Sequence, residues 1–401
     1  MDVQPSLTRV PFRWYQDPAL PDAEQCAVFE GPVWNFLCLD SDIPNPGDWR
    51  TTHVGRMPVV VARTEAGAVA AFENRCLHRG ALICFDEAGH SRELTCVYHA
   101  WRYDLAGNLT SVAFRHGVNG KGGMPADFRL EDHCTRKLRV ASVSGLLFGT
   151  LSEATPPIED FLGPEVLAAL RINASRPLVV IGRFTEVLPN NWKMYAENVR
   201  DTYHASLLHV FFATFRINRL SQGGGVAISP NGGCHLSTTL APEQAVDDAY
   251  AGLRSVDEGL HLADPSMLDA ADEHGDRVRQ QILSVFPTFA MQRTYNVLAI
   301  RQFLPKAVDR TDLNWIYLGY ADDPPDLRRR RLKQLNLAGP AGFVSMEDGC
   351  IGNFVERGTA AAPDATTLLE MGGADVASQE TRATETAVRG FWQMWRRLMG
   401  V

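Results

Sequence analysis

With 401 residues, 45% of them apolar and 21% charged, the chain has the composition of a globular protein and is long enough for two domains, each with its own core. A net charge of −8 argues against nucleic acid or an anionic membrane as the main partner, since both select basic surfaces, and no apolar run reaches the roughly 20 residues that span a bilayer. The start, MDVQPSLTRVPFRWYQDP, has no basic segment followed by an apolar one, so no secretory leader is expected. Eight scattered cysteines fit a reducing cytoplasm in which some of them serve as ligands.

The first third reads as β structure. MPVVVART (57–64) and AVAAFEN (68–74) are short apolar runs separated by Glu-Ala-Gly, and Val140–Leu151 is a strand pair around a glycine. A domain is expected at about 34–152, leaving 1–33 and 153–401 for a second one. Within the first domain, CLHRGALICFDEAGHSRELTCVYHAW (76–101) holds two mirrored pairs, Cys76-x-His78 and Cys96-x-x-His99, with 17 residues between them. Each pair is expected at its own turn, with a short hairpin joining the two.

Beyond 152, PLVVIGRF (177–184) is a strand, and PNNWKMYAENVRDTYHASLLHVF (189–211) has helical spacing at Trp192, Tyr195, Val199 and Tyr203. The polar stretch 219–277 reads as long loops and short helices over a site. Strands return in 280–305 and 313–321, and helices are expected at 325–337 and 381–400. In the first of these helices, Leu327, Leu332 and Leu335 are spaced for a buried face, which leaves Arg328–Arg331 solvated rather than poised for nucleic acid. The glycines 223–225 follow no predicted strand and open no helix, so they are not a dinucleotide fingerprint. A redox enzyme without its own nicotinamide or flavin site would have to receive electrons from another protein.

A structural zinc site usually takes matched pairs, Cys-x2–4-Cys with His-x3–5-His or two Cys-x2-Cys knuckles. One thiolate and one imidazole from each loop instead suit a [2Fe–2S] cluster with two thiolates on one iron and two imidazoles on the other. The pattern formed by Cys76, His78, Cys96 and His99 closely resembles the Rieske motif. Ala81 and Tyr98 stand where respiratory Rieske proteins carry an added disulfide, so the resemblance is to the Rieske domain of ring-hydroxylating oxygenases.

Such a cluster only carries electrons, and the chemistry needs a second centre. ENVRDTYHASLLH (197–209) brings together Asn198, Asp201, His204 and His209. Residues five apart diverge by about 140° on an ideal helix. Either this pair is not a site, or the helix is distorted or ends between the two histidines. The stretch resembles the mononuclear-iron motif of the same family, and the resemblance implies Fe(II) held by His204, His209 and Asp348 as a 2-His-1-carboxylate site. Glu347 is the competing carboxylate. The resemblance also implies that Asp201, with Asn198 beside it, acts in catalysis by linking an iron ligand to the cluster histidine His99 of a neighbouring subunit.

The likeness reaches essentially the whole chain and implies an α+β fold, an antiparallel β Rieske [2Fe–2S] domain plus a catalytic domain of antiparallel sheet covered by helices. It implies an alpha subunit assembled with a small β subunit as α3β3 and supplied with electrons from NAD(P)H by a separate reductase. With O2 it would cis-dihydroxylate an aromatic carboxylate, terephthalate ahead of salicylate-type monohydroxylation or anthranilate dioxygenation. A Rieske electron-transfer protein without the second iron is the non-enzyme alternative. Two arginines point to the substrate's charge. Arg301 sits in the apolar strand NVLAIRQFLP, where a lone guanidinium is costly to bury without an anion, and Arg382 begins the C-terminal helix, where it opposes the helix dipole. The pair is expected to hold one carboxylate each.

Overall fold

The computed structural model describes residues 6–243 and 248–401. The chain divides into two compact units, one of Phe29–Thr155 and one of the described residues up to Val28 together with Pro156–Val401. Among the described residues no helix is long and apolar enough to cross a membrane.

In Phe29–Thr155 seven short antiparallel strands form one sheet, in the spatial order Asn35–Leu39, Leu146–Thr150, Lys137–Val143, Val69–Glu73, Met57–Arg63, Asp48–Val54 and Ala88–His90. The pair around Gly145 forms as the sequence indicates. Val143 faces Leu146 across a two-residue turn, and Ser144 and Gly145 both have positive φ, the turn whose twist matches the flanking strands. A second, three-stranded sheet consists of Leu94–Thr95, Arg102–Tyr103 and Leu109–Ser111. The hairpin expected between the two Cys/His loops is absent among the described residues. The connection instead runs from Ala88–His90, an edge of the large sheet paired to Asp48–Arg50, to Leu94–Thr95, which starts the small one. Each loop is thus braced by a different sheet. Trp49, Phe72, Ile83, Leu94 and Tyr103 form the core between them, and Cys76 and Cys96 are part of it.

The second unit is built on another seven-stranded antiparallel sheet, ordered Leu178–Leu188, Arg310–Tyr320, Val297–Ala307, Phe289–Thr294, Val278–Val285, His235–Leu240 and Gly224–Ile228. The last two strands lie where the sequence reads as loops and short helices. In His235–Leu240 the buried positions are His235, Ser237 and Thr239, and the half-exposed ones include Leu236 and Leu240. The usual apolar-inside alternation is reversed because this face looks into a polar cavity, so the strand signal is masked. Residues 244–247 of that stretch, like 1–5, fall outside the described residues.

Three helices differ from expectation in informative ways. The helix starting at Trp192 ends at Asn198, so Tyr203 is not on it. The helix Pro325–Ala338 is rotated: it buries Arg331, Gln334, Leu337 and Ala338 and leaves Leu332 exposed. Arg331 is not solvated, because Asp323 takes its Nε at 2.7 Å and its Nη2 at 3.0 Å and Glu273 closes on the same guanidinium. Fork-shaped pairing of this kind repays desolvation in a way that isolated burial does not. The C-terminal helix begins only at Thr386 and runs to Met399, burying Val388, Phe391, Trp392 and Trp395. Arg382 therefore precedes the helix, and the dipole argument for it lapses.

Candidate iron-sulfur loops, metal centre and cavity

The two Cys/His loops have the same backbone plan. The Gly80 N–H donates to Cys76 O and the Cys76 N–H to Ala81 O, while the Ala100 N–H donates to Cys96 O and the Cys96 N–H to Trp101 O. Each turn needs a left-handed residue at its fourth step, Gly80 at φ 76° and Ala100 at φ 53°. The thiols of Cys76 and Cys96 are buried, whereas His78 is exposed and His99 partly so. The two imidazoles lie side by side, with ring centres 4.3 Å apart, and His78 stacks on Trp101 at 4.9 Å. This arrangement fits a bipartite cluster, with sulfur donors facing the interior and nitrogen donors the surface.

Sequence reasoning missed two supports of these loops. Buried Asn74 accepts from the N–H groups of Ile83 and Cys84 and donates to Cys84 O, bracing the end of the first loop. The Tyr103 hydroxyl donates to Cys76 Sγ at 3.3 Å. Burial, helped by Asp86, pushes the nearby Cys84 thiol up to about 12, so this third cysteine stays protonated and is a packing group.

In the second unit the chain breaks where the two histidines need it to. His204 caps the single turn Ala205–Leu208, and His209 is extended (φ −87°, ψ 93°) before Val210–Thr214 resumes as helix. The helix therefore ends between them, and the 140° divergence does not apply. His204 Nε2 lies 3.5 Å and His209 Nε2 3.3 Å from the same oxygen, Oδ1 of Asp348. The three ligand atoms all fall within 4.8 Å of one another. The outer nitrogens are held as well, His204 Nδ1 by Asp201 at 3.2 Å and His209 Nδ1 by Glu347 at 2.7 Å. Glu347, the rival carboxylate, thus sits behind a histidine rather than beside it at the convergence point. Asn198 Nδ2 donates to Asp348 Oδ1 at 3.1 Å.

The electrostatics agree with a cation site. Burial alone would favour neutral imidazoles, but Asp201 and Asp348 push His204 up to about 10, and Asp348 and Glu347 also raise His209. Burial opposes ionisation of Asp348 too, yet His209 and His204 hold its carboxyl well below the usual carboxylate range. A field that favours protons on two imidazoles also favours a metal ion in their place. Two imidazoles and one carboxylate, each imidazole oriented by a further carboxylate, fit Fe(II).

A cavity opens beside these three residues, and Arg301, Arg382, Asp201 and Asn198 line it as well. A larger cleft, near Asp276 and Arg293, contains none of them. Arg301 is 3% exposed; its Nη1 donates to the Tyr195 hydroxyl at 3.2 Å and its guanidinium lies 5.2 Å from the centre of the Trp315 ring, while Nε and Nη2 have no hydrogen-bond partner among the described residues. Arg382 is 2% exposed and donates to Asn218 Oδ1 and to the carbonyls of Arg219 and Gln222, which leaves Nε unpaired. Burial lowers Arg382 to about 10, still cationic at neutral pH. The floor of the cavity is sheet, and Ser237, Gln280 and Gln292 rise from it. None of these three polar residues was singled out from the sequence, where each is one more hydrophilic letter inside a strand.

Residues 33–119 match the Rieske [2Fe-2S] domain, and residues 175–401 match the ring hydroxylating alpha subunit (catalytic domain). The chain is 54% identical to the terminal oxygenase component subunit alpha 2 of terephthalate 1,2-dioxygenase from Comamonas sp., over 98% of this chain and 96% of that protein. It is 43% identical to the anthranilate 1,2-dioxygenase large subunit of Burkholderia cepacia, over 98% and 94%. Salicylate 5-hydroxylase, large oxygenase component, from Ralstonia sp. is 34% identical over 98% and 95%. The fold is similar to naphthalene 1,2-dioxygenase with indole bound, at a TM-score of 0.81 and 25% identity, covering all of this chain and 94% of that one. Family cofactors, a Rieske cluster and a mononuclear iron, accord with the donor sets of the two units. With both units matched and identity sustained from end to end, the chain belongs to the alpha subunits of the Rieske ring-hydroxylating oxygenases.

Proposed function

We propose that this oxygenase cis-dihydroxylates an aromatic para-dicarboxylate, terephthalate, as the terminal component of an aromatic catabolic system. The observation that carries the reading is the presence of two buried arginines with unpaired donors, Arg301 and Arg382, in the cavity that also holds His204, His209 and Asp348. An uncompensated buried guanidinium is costly, and an anionic ligand relieves that cost. The 54% identity to a terephthalate 1,2-dioxygenase subunit supports the same substrate.

In this reading Cys76, His78, Cys96 and His99 hold the cluster, and His204, His209 and Asp348 hold the iron. When bound, the two groups supply single-electron transfer and O2 activation. The remaining work falls to the chain. Arg301 and Arg382 fix the ring between two ends, Asp201 and Glu347 set the tilt of the ligand imidazoles, and Asn198 holds Asp348 by its Oδ1. The partners are a small β subunit in an α3β3 assembly and an NAD(P)H-dependent reductase, in the cytoplasm.

The test is product analysis on a panel of benzoates with O2, a reductase and 18O2 labelling. Terephthalate is expected to turn over fastest and to retain two labelled atoms. Faster turnover of salicylate or anthranilate, or a single labelled atom, would overturn the assignment. Asp201 is proposed to couple the iron centre to His99 of a neighbouring subunit rather than to bind metal. Asp201→Asn should leave the reduced cluster's spectrum intact but slow its single-turnover oxidation by about 10- to 100-fold, the usual cost of losing a carboxylate behind a ligand histidine. Oxidation at the wild-type rate would remove Asp201 from that role.

A further inference from the structure

Arg382 cannot grip a carboxylate alone. One of its five N–H donors, on Nη1, is committed to Asn218 Oδ1 and both on Nη2 to the carbonyls of Arg219 and Gln222; the Nε–H and the second Nη1–H that remain lie on different edges of the guanidinium and cannot form a parallel fork. A bidentate hold at this end of the cavity needs a second donor, and the same asparagine supplies one indirectly. Arg382 can only donate, so the Asn218 atom facing it must be the carbonyl oxygen. The Asn218 NH2 then faces Gln280 and donates to Gln280 Oε1 at 2.5 Å. Gln280 is consequently locked with its own NH2 turned away from Asn218; among the described residues no hydrogen bond is made by that group, and the residue is 5% exposed and lines the cavity.

Sheet register places this donor at the end opposite Arg301. Arg301 pairs with Ala290, and Ala290 with Ser284, on the same strand as Gln280 and four residues from it. Gln280 and Arg301 therefore rise from one face of the sheet, two strands and four residues apart. At about 4.8 Å per strand and about 3.4 Å per residue their Cα atoms are about 17 Å apart. That separation suits side chains that hold the two ends of one small ring.

Resting on the terephthalate reading, we infer that Gln280 is a specificity-determining residue: its amide and Arg382 Nε bind the carboxylate distal to Arg301, and Asn218 is the positioning residue that keeps the amide turned to donate. A neutral donor strengthens the hold on an anion without a second desolvated cation. The alternative, a buried polar pair that merely satisfies itself, makes no contact with ligand and leaves specificity alone.

The experiment measures equilibrium binding of terephthalate, benzoate and 4-aminobenzoate to the intact oxygenase by calorimetry. Gln280→Leu removes the donor and should lower the preference for terephthalate over benzoate by about tenfold or more, as expected for a hydrogen bond to a charged group. Asn218→Asp offers only acceptors, so it pairs with Arg382 and flips the Gln280 amide to present its oxygen. Preference should then move away from terephthalate and toward 4-aminobenzoate, whose para group donates. Unchanged preferences in both variants, in an enzyme whose wild type binds terephthalate best, overturn this inference alone. Failure of the wild type to prefer terephthalate overturns the functional reading and this inference with it. Should one variant fail to fold, the other still decides, because each acts on a different atom of the same chain of contacts.

Discussion

Asp348→Ala is expected to abolish turnover and strip the mononuclear iron while leaving the visible absorption and EPR signal of the Rieske cluster intact. Among the described residues the Asp348 carboxylate is the only anionic group at the point where His204 Nε2 and His209 Nε2 converge. Without it two imidazoles remain, too few neutral donors to retain a divalent cation whose own desolvation must be offset. Glu347→Gln gives the contrast. Glu347 holds His209 from behind at 2.7 Å, so its loss should weaken iron binding by only about 10- to 100-fold. Iron content per chain after dialysis measures both. Retention of the mononuclear iron by Asp348→Ala, or its complete loss in Glu347→Gln alone, would exchange the roles of these neighbouring carboxylates.

Arg301→Met should raise the KM for terephthalate by between about 30-fold and several thousand-fold, equivalent to about 2 to 5 kcal/mol for a buried charged contact. Cluster reduction by dithionite should be unaffected. The stability of the ligand-free protein should not fall either. Arg301 has no carboxylate partner among the described residues and two of its donor nitrogens lack a hydrogen bond, so a methionine of similar length gives up the bond to Tyr195 and the contact with the Trp315 ring but also removes a desolvated charge. A Tm that holds or rises while terephthalate no longer raises it would separate a ligand-binding role from a structural one. Arg382→Met should cost less, because most of its donors already serve the chain. Wild-type kinetics in both variants would end the dicarboxylate reading.

How legible these features were in the sequence depended on how local their causes are. Cys76, His78, Cys96 and His99 lie within one short stretch, and their spacing alone indicates the cluster type. Asp348 is 150 residues from the Asn198 that contacts it, and no periodicity announces that contact; family resemblance selected it over Glu347. The break between His204 and His209 was visible only as a conflict between five-residue spacing and helix geometry. The strand His235–Leu240 was hidden because its inward residues are polar. Arg331 read as solvent-facing because its partners, Asp323 and Glu273, come from other segments. Arg301 stood out as a charge in an apolar strand, whereas Gln280 and Asn218 gain their meaning only from each other and from Arg382.

The convergence of His204, His209 and Asp348 also has a polymer consequence. A metal ion there ties together two chain positions about 140 residues apart, much as a covalent cross-link would, and the loop it closes contains most of the cavity-forming sheet. The 16-residue helix Ser345–Ala360 that carries Asp348 has only four buried residues, Ser345, Asp348, Glu356 and Thr359, all polar. It is held by directed bonds, Gln16 and Asn191 to Glu356 and Asn198 to Asp348, rather than by apolar packing. Chelation of iron should therefore be felt along this whole helix as faster amide exchange, with the strands of the Rieske unit unaffected. Uniform exchange in the two forms would mean that the helix stands without its knot. Where the helix loosens, iron has a second role beside its chemistry, as the fastening that keeps a polar helix seated on the cavity.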